Sequence, residues 1–174
     1  MFPHGLLLTL LTPALFTASA DPGVVVEINR SEYRLEVTDL ATRERGPSLQ
    51  VAIGSPSHPT PAGEFWPSAV IRNPSWSPGP HARALGATFT APSSDSPLGV
   101  GKIPLGYNAI QIHGGAHPLE LGKPISLGCI ELQDAEWFAL VRWLEQRGTL
   151  ATWQPRAAGD VHTTFRRPVR VIVH

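Results

Sequence analysis

The segment SLGCIEL, residues 126–132, contains Cys129, the only cysteine of the 174-residue chain. Gly128, directly before it, lets the backbone turn sharply and lets a substrate approach the thiol. A lone cysteine cannot form an intramolecular disulfide, and an exported thiol risks oxidation. We therefore interpret Cys129 as a nucleophile activated by a histidine, and His113, which lies upstream in the chain, is the candidate for that role.

The first twenty residues have the features of a secretion signal. An apolar run, residues 6–16, is followed by Ala18-Ser19-Ala20, the small residues typical of a signal peptidase site. The run is too short to span a bilayer of about 30 Å comfortably as a helix. We expect cleavage after about Ala20, export to the periplasm or the cell wall, and no stable membrane anchor. The alternatives are an uncleaved anchor and a misassigned start codon.

The composition of the remaining chain favours a single, mainly β domain. Fourteen Lys and Arg residues balance fourteen Asp and Glu residues, so nothing indicates a nucleic-acid surface. Eighteen prolines and sixteen glycines favour strands joined by irregular loops. We expect a monomer.

Alternation of apolar and polar residues predicts the strands, and one stretch has helical spacing. Strands are predicted at 24–28, 33–38, 49–53, 64–71, 87–91, 108–113, 150–153 and 169–173. The Pro-, Gly- and Ser-rich stretch 73–86 is predicted to be a long loop of the kind that forms a lid or a wall of a substrate site. An amphipathic helix is predicted at about 134–147, with Asp134 as its N-cap and Gly148 at its end. Its buried stripe follows i, i+3, i+4, i+7 spacing: Trp137, Leu140, Val141 and Leu144.

The residues around Cys129 have the chemistry of an acyl-transfer site. A thiol of ordinary pKa, about 8.5, is only slightly ionised at neutral pH and needs a base. His113 is expected at a strand end, with its second ring nitrogen oriented by the Gly114 carbonyl. Backbone N–H groups around Gly128 could bind an oxyanion, and Ser126 could donate to the same region or fix the loop. The alternative is that Cys129 is a buried apolar filler and His113 a structural histidine.

Further residues are weaker candidates for substrate binding. Arg72 and Arg83 flank the Pro-rich loop and could bind a carboxylate, although solvated arginines are the simpler interpretation. Trp76 could wall the site or anchor the loop. Tyr107 and Gln111 could line the cleft or have ordinary structural roles.

A zinc site formed by His113, His117 and Cys129 is an alternative assignment. Gly114-Gly115 and Pro118 do not favour the helix that makes H-x-x-x-H a metal pair. We therefore expect no metal ion at this site.

Several segments together resemble a known family. His113-Gly114 followed by Ser126-x-Gly128-Cys129-Ile130 resembles the signature of L,D-transpeptidases of the YkuD type. Residues 60–65, TPAGEF, resemble the family's Thr-Pro-x-Gly-x-Phe segment, and residues 73–76, 97–99 and 148–149 resemble others. The likeness implies a catalytic domain at 21–153 and a C-terminal extension at 154–174, with room for one extra edge strand.

The resemblance also implies a fold and a reaction. The fold would be a β-sandwich or barrel-like domain with one helix. Cys129 would attack the carbonyl of the third residue of a peptidoglycan tetrapeptide stem, and His113 would protonate the leaving D-alanine. The N–H groups of Gly128 and Cys129 would bind the oxyanion. An amine of a second stem would then form a 3-3 cross-link; a wall-protein lysine or water would give anchoring or carboxypeptidase activity. No cofactor is needed.

Three positions depart from the family pattern: Gly115 replaces Thr or Ser, Leu127 replaces His, and Glu131 replaces Arg. Glu131 reverses a charge beside the nucleophile, which disfavours the thiolate and could change the substrate carboxylate that is accepted. Two alternatives therefore stay open. One is a secreted wall peptidase or amidase, although papain-like enzymes place Cys before His. The other is a non-catalytic wall-binding β-domain.

Overall fold

The fold starts with the predicted β-hairpin. A computed structural model describes residues 23–93 and 95–174, so the signal-peptide prediction for residues 1–20 lies outside the described residues. Strands β1 (Val24–Asn29) and β2 (Arg34–Asp39) pair antiparallel. Their turn is closed by Asn29 Oδ1, which accepts the backbone N–H groups of Ser31 and Glu32.

Two main sheets follow from the remaining elements. Their bounds are β3 (Glu44–Gln50), β4 (Ile53–Gly54), β5 (Gly63–Phe65), β6 (Ala69–Arg72), α1 (Pro80–Ala84), β7 (Gly101–Tyr107), β8 (Ile110–His113), β9 (Pro124–Ser126), β10 (Ile130–Glu131), α2 (Asp134–Gln146), β11 (Gln154–Pro155), β12 (Val161–Thr164) and β13 (Val169–Val173). The five-stranded sheet has the order β3-β2-β1-β13-β5, and the six-stranded sheet has the order β10-β8-β7-β6-β12-β11. A short third sheet pairs β4 with β9.

The mainly β prediction is confirmed, but neither main sheet closes into a barrel. A single apolar core draws on both sheets and on α2. No helix in the described residues is long and apolar enough to cross a membrane.

Residues 154–174 are part of both main sheets and are not an extension: β11 lies at an edge of the six-stranded sheet, whereas β12 and β13 lie inside their sheets. β13 has the predicted bounds, but it lies between β1, to which it is parallel, and β5. β12, which the sequence did not predict, pairs with β6 in the other sheet. The reason is burial: Val169, Val171 and Val173 are at most 4% exposed, so the core includes this strand.

Other predicted strands have different bounds. The strand predicted at 64–71 is two strands, β5 and β6, because the intervening segment contains Pro67, which has no N–H to donate. The strand predicted at 49–53 is the end of β3 and the start of β4. The candidate at 87–91 makes only an isolated bridge from Thr90 to Trp76, and that at 150–153 only one from Leu150 to Phe165.

The loop regions near the site also differ in detail. β8 starts at Ile110, two residues later than predicted, because Asn108 and Ala109 adopt left-handed conformations with φ of 41° and 61°. The Pro-rich loop contains the one-turn helix α1, with Pro80 at its first position. β7 was missed because Gly101, Pro104 and Gly106 obscure its alternation.

Helix α2 is confirmed, and its predicted apolar stripe is buried. Its N-cap is Gln133, which forms a capping box with Glu136, so the assignment of Asp134 as the cap is wrong. The Asp134 carboxylate instead accepts the backbone N–H groups of Val100 and Gly115. Gly148 follows the helix with φ of 64°, as expected for a C-terminal glycine.

Candidate active site

Strand register brings the predicted nucleophile and base to one face. β10 runs parallel to β8, with Ile130 opposite Ile112 and Glu131 opposite His113. Both isoleucines are fully buried, so the alternating side chains of His113 and Glu131 lie on the opposite face. Cys129 is two residues before Glu131 and shares that face.

The thiol lines a cavity of about 700 Å³. Tyr107 and Gln111 from the β7–β8 hairpin contribute to its lining, and Trp76 contributes from the Pro-rich loop. The short helix α1 forms part of the wall through Pro80, His81 and Ala82. The Pro-rich loop therefore walls the cavity that contains Cys129, as the sequence predicts.

The loop that carries the thiol is fixed by Ser126. Its Oγ donates to the Cys129 carbonyl at 2.7 Å and accepts the Gly128 N–H at 3.1 Å. Gly128 has φ of 109°, and a Cβ there would lie 2.8 Å from Ile110 Cδ1, so the loop needs glycine. Of its two expected roles, Ser126 thus has that of fixing the loop. The Gly128 N–H, one of the two expected oxyanion donors, therefore already has an acceptor.

Thr60 explains why the upstream TPAGEF segment belongs with the thiol loop. Its buried Oγ1 donates to the Gly128 carbonyl at 3.0 Å and accepts the Gly54 N–H at 2.8 Å. One hydroxyl therefore ties β4 to the residue before Cys129. Periodicity gives no signal for such a contact, and only the family resemblance pointed to this segment.

His113 is oriented as the sequence predicts. Its ring is buried, and its Nδ1 lies 2.6 Å from the Gly114 carbonyl oxygen. A carbonyl oxygen only accepts, so Nδ1 carries the proton and Nε2 is left as the base. Burial lowers the pKa of His113 to about 4, and the Lys102 charge also lowers it, whereas the Gly114 bond and Asp134 raise it. The imidazole is therefore neutral at pH 7.

Cys129 is neutral in the resting site as well. Burial raises the pKa of its thiol to about 11, and the Glu131 charge adds to this, while hydrogen bonds from Gln111 and the charge of Lys102 oppose it. The Sγ donates weakly to the Ala109 carbonyl at 3.8 Å. An attack by this sulfur would therefore require a base to take the thiol proton.

Glu131 lies beside this pair. Its Oε1 is 3.8 Å from His113 Nε2, and its side chain is 20% exposed. Burial and the nearby Glu120 raise the pKa of Glu131 to about 7. Its charge therefore changes in the pH range in which the site would work.

Lys102 is a site residue that sequence reasoning missed. It lies on β7 directly opposite His113 of β8 and lines the same cavity as Cys129. Burial lowers the pKa of Lys102. Lys102 alternates with the buried Ile103 and Leu105, but the glycines and the proline of β7 obscure this signal in the sequence.

The remaining predicted residues divide between the cavity and the surface. Trp76, Tyr107 and Gln111 line the cavity, and the Trp76 backbone also exchanges two hydrogen bonds with Thr90. Trp76 therefore combines both of its expected roles. Arg83 donates to the Pro78 carbonyl at 2.7 Å, inside its own loop.

Two other candidates contact residues outside the site. Arg72 forms an ion pair with Glu145 at 2.8 Å and stacks on the Trp153 ring at 3.9 Å. His117 lies in an exposed turn, where its Nδ1 accepts the Leu119 N–H at 3.2 Å. Neither side chain lines the cavity of Cys129.

A thiol beside a cavity and a neutral imidazole oriented by a carbonyl are features that a cysteine-dependent acyl-transfer site requires. The family model of the L,D-transpeptidase catalytic domain, YkuD, matches residues 23–152. The chain belongs to this family, and the resemblance found in the sequence is confirmed.

Solved L,D-transpeptidases share the fold. L,D-transpeptidase 3 from Mycobacterium tuberculosis is 19% identical, with a TM-score of 0.53 over 88% of this chain and 61% of that one. Another L,D-transpeptidase from Mycobacterium tuberculosis H37Rv is 18% identical, with a TM-score of 0.54 over 88% and 58%. One from Stackebrandtia nassauensis is 12% identical, with a TM-score of 0.52 over 93% and 60%.

Because the sequence identities are low and each protein is only partly covered, these matches establish the fold alone. The chain spans about 60% of the length of each of these proteins. No curated protein sequence matches the chain.

Proposed function

We propose that this protein is an exported L,D-transpeptidase of peptidoglycan stem peptides. The observation that supports the proposal most is the β8–β10 register, which pairs Glu131 with His113, together with the presence of Cys129 in the lining of the cavity. Family membership supports the reaction class.

In the first half-reaction, the Cys129 sulfur attacks the carbonyl of the third stem residue. The thiol proton moves to His113 Nε2 as the S–C bond forms, because both groups start neutral. The Cys129 N–H stabilises the oxyanion. His113 then gives its proton to the nitrogen of the terminal D-alanine as the C–N bond breaks, which leaves a thioester on Cys129.

In the second half-reaction, an amine of another stem attacks the thioester carbonyl. His113 takes a proton from the amine, the C–S bond breaks, and the proton returns to the sulfur. The product is a 3-3 cross-link. A wall-protein lysine as acceptor would anchor that protein, and water would give a carboxypeptidase or wall peptidase.

One observation favours a second candidate, the non-catalytic wall-binding domain. Burial and Glu131 raise the pKa of Cys129 to about 11, which is unusual for an activated thiol. We place this candidate second because His113, held neutral and oriented by the Gly114 carbonyl, would supply the base that a thiol of high pKa requires.

Intact mass spectrometry after incubation with a disaccharide-tetrapeptide tests the proposal. We expect an acyl adduct, released D-alanine and a 3-3 dimer, all absent in Cys129→Ala and His113→Ala. Circular dichroism of each variant controls for folding. D-alanine release without a dimer would indicate hydrolysis, and no adduct from the folded protein would favour the binding domain.

A β-lactam provides a second acylation test. L,D-transpeptidase 3 of Mycobacterium tuberculosis has been solved with a faropenem-derived adduct. We expect faropenem to add covalently at Cys129, with peptide mapping to locate the adduct. An adduct that persists in Cys129→Ala would contradict the assignment.

Export is part of the proposal. The apolar run 6–16 and Ala18-Ser19-Ala20 support a cleaved signal. N-terminal sequencing of the protein recovered outside the cytoplasm is expected to begin at Asp21. Recovery of the uncleaved chain from the membrane would support an anchor instead.

A further inference from the structure

A single peptide unit connects the base to a carboxylate. The Gly114 carbonyl accepts the His113 Nδ1–H at 2.6 Å. The N–H of the same peptide unit, that of Gly115, donates to Asp134 Oδ1 at 2.9 Å. The imidazole and the carboxylate are therefore joined through the two ends of the Gly114–Gly115 peptide.

The packing around this peptide leaves little freedom. A Cβ at Gly114 would lie 2.4 Å from Asp134 Oδ1, so the carboxylate sits directly against the backbone. The same oxygen accepts the Val100 N–H at 3.0 Å. On the other side, the Leu132 N–H donates to the His113 carbonyl at 2.8 Å. The loop after β8 is thus held from α2 and from β10.

The position of Asp134 is not explained by helix capping. Gln133 and Glu136 form the capping box of α2. The Asp134 carboxylate is directed instead at the loop that follows the catalytic histidine.

The electrostatics around His113 oppose one another. Lys102 lies opposite it on β7, Glu131 lies opposite it on β10 with Oε1 3.8 Å from Nε2, and Asp134 of α2 contacts the next loop through the Gly115 N–H. Burial and Lys102 disfavour the imidazolium, whereas Asp134 favours it. A charge-assisted bond to the Gly115 N–H also polarises the peptide and makes the Gly114 oxygen a stronger acceptor.

We propose that Asp134 is a positioning residue for the base. Acting through the Gly114–Gly115 peptide, it holds His113 with the proton on Nδ1 and stabilises the imidazolium that forms when Cys129 loses its proton. The inference rests on the proposed function only in assigning His113 as the base of Cys129.

Asp134→Asn provides the first test, because it keeps an oxygen that can accept both N–H groups and removes the charge. We measure the rate of Cys129 alkylation by iodoacetamide between pH 5 and 9, and the ring ¹⁵N shifts of His113 at pH 7. We expect alkylation at pH 7 to slow about tenfold, as for one pKa unit. The ¹⁵N shifts are expected to show an increased fraction of the Nε2–H tautomer.

Glu136→Gln is the matched control, because Glu136 is two residues after Asp134 and the change weakens the capping box of the same helix without touching the peptide. We expect it to lower the thermal midpoint and to leave the alkylation profile and the His113 shifts unchanged. The proposal is overturned if Asp134→Asn alkylates at the wild-type rate, or if its slower rate comes without any change in the His113 shifts. It is also overturned if Glu136→Gln slows alkylation equally.

These measurements need no peptidoglycan and therefore separate the two proposals. If the wild-type enzyme fails to release D-alanine while Asp134→Asn changes His113 as expected, the proposed reaction fails and the positioning role stands. If D-alanine is released and Asp134→Asn behaves as wild type, the positioning role fails alone.

Discussion

Two carboxylates show that the molecule treats buried charge in opposite ways in two regions. Asp39, at the end of β2, is 1% exposed and binds Arg167 through both oxygens, at 2.6 and 3.0 Å. The Arg167 guanidinium holds the pKa of Asp39 at about 2. Glu131 lies beside the thiol, where burial and Glu120 raise its pKa to about 7. Burial alone therefore does not decide the charge; the partner does.

The charged Asp39–Arg167 pair stabilises the fold, whereas the neutral groups around Cys129 are suited to chemistry. Arg167 also donates to the Arg147 carbonyl at the end of α2, so one paired charge joins the hairpin, the helix and the segment before β13. The active site instead holds a neutral thiol and a neutral imidazole, and their charges would appear only when a substrate is attacked. Substitutions at the Asp39–Arg167 pair should therefore leave acylation unchanged, and substitutions at Cys129 should leave stability unchanged.

Cys129→Ala is expected to have the largest effect. It removes the nucleophile, so acylation by faropenem should fall by more than about 10³-fold, to background. The thermal midpoint should hardly change, because the half-buried thiol makes only a weak hydrogen bond to Ala109. Intact mass and a thermal scan measure the two quantities. A large loss of stability would mean that Cys129 is a packing residue.

Asp39→Asn should show the opposite pattern. Breaking the buried pair with Arg167 is expected to cost about 3 kcal/mol in urea unfolding. The exposed pair of Glu64 and Arg170, at 3.5 Å, is the control, and Glu64→Gln should cost about 0.5 kcal/mol or less. Acylation of folded Asp39→Asn by faropenem should match the wild type. Slower acylation would show that the two regions are coupled.

The pH dependence of stability checks the same pair. The pKa of Asp39 is lowered in the folded state, so its contribution is complete above the unfolded value of 3.8. It is lost as the pH falls from 3.8 through about 2. Wild-type stability should therefore fall over this range more steeply than that of Asp39→Asn. Parallel curves for the two proteins would contradict the lowered pKa.

Thr60→Val tests the contact that links the fold to the thiol loop. Valine has nearly the same shape but leaves the Gly54 N–H without its acceptor and the Gly128 carbonyl without its donor. We expect a cost of about 1–3 kcal/mol in unfolding and severalfold slower acylation, because the loop before Cys129 loses a support. Thr60→Ser keeps the hydroxyl and should retain most of both properties. Acylation at the wild-type rate in Thr60→Val would show that Ser126 alone fixes the loop.

The sequence predicts local features of this fold better than the contacts between distant segments. The hairpin, α2 and β13 follow from periodicity, and Cys129 and His113 follow from their motif. The central position of β13 does not follow from periodicity, because its pairing with β1 depends on how the two apolar strands pack into the core. Lys102 and Asp134 were missed for the same reason: each reaches His113 only through sheet register or helix packing.

Glu131→Gln should have the smallest effect, and it tests whether the pKa of Glu131 is shifted in the opposite direction to that of Asp39. The Glu131 carboxyl has a raised pKa, so the folded state binds its proton more tightly, and stability should fall as the pH rises from 4.5 to about 7. The glutamine variant should lack this fall.

The amide of Glu131→Gln carries no negative charge beside the sulfur, so the pKa of Cys129 should drop and iodoacetamide alkylation at pH 8 should rise about two- to fivefold. Glu120→Gln is an indirect control, since it should lower the pKa of Glu131 without removing the Glu131 charge. If alkylation of Glu131→Gln matches the wild type from pH 6 to 9, the carboxylate does not act on the thiol, and burial alone keeps Cys129 protonated.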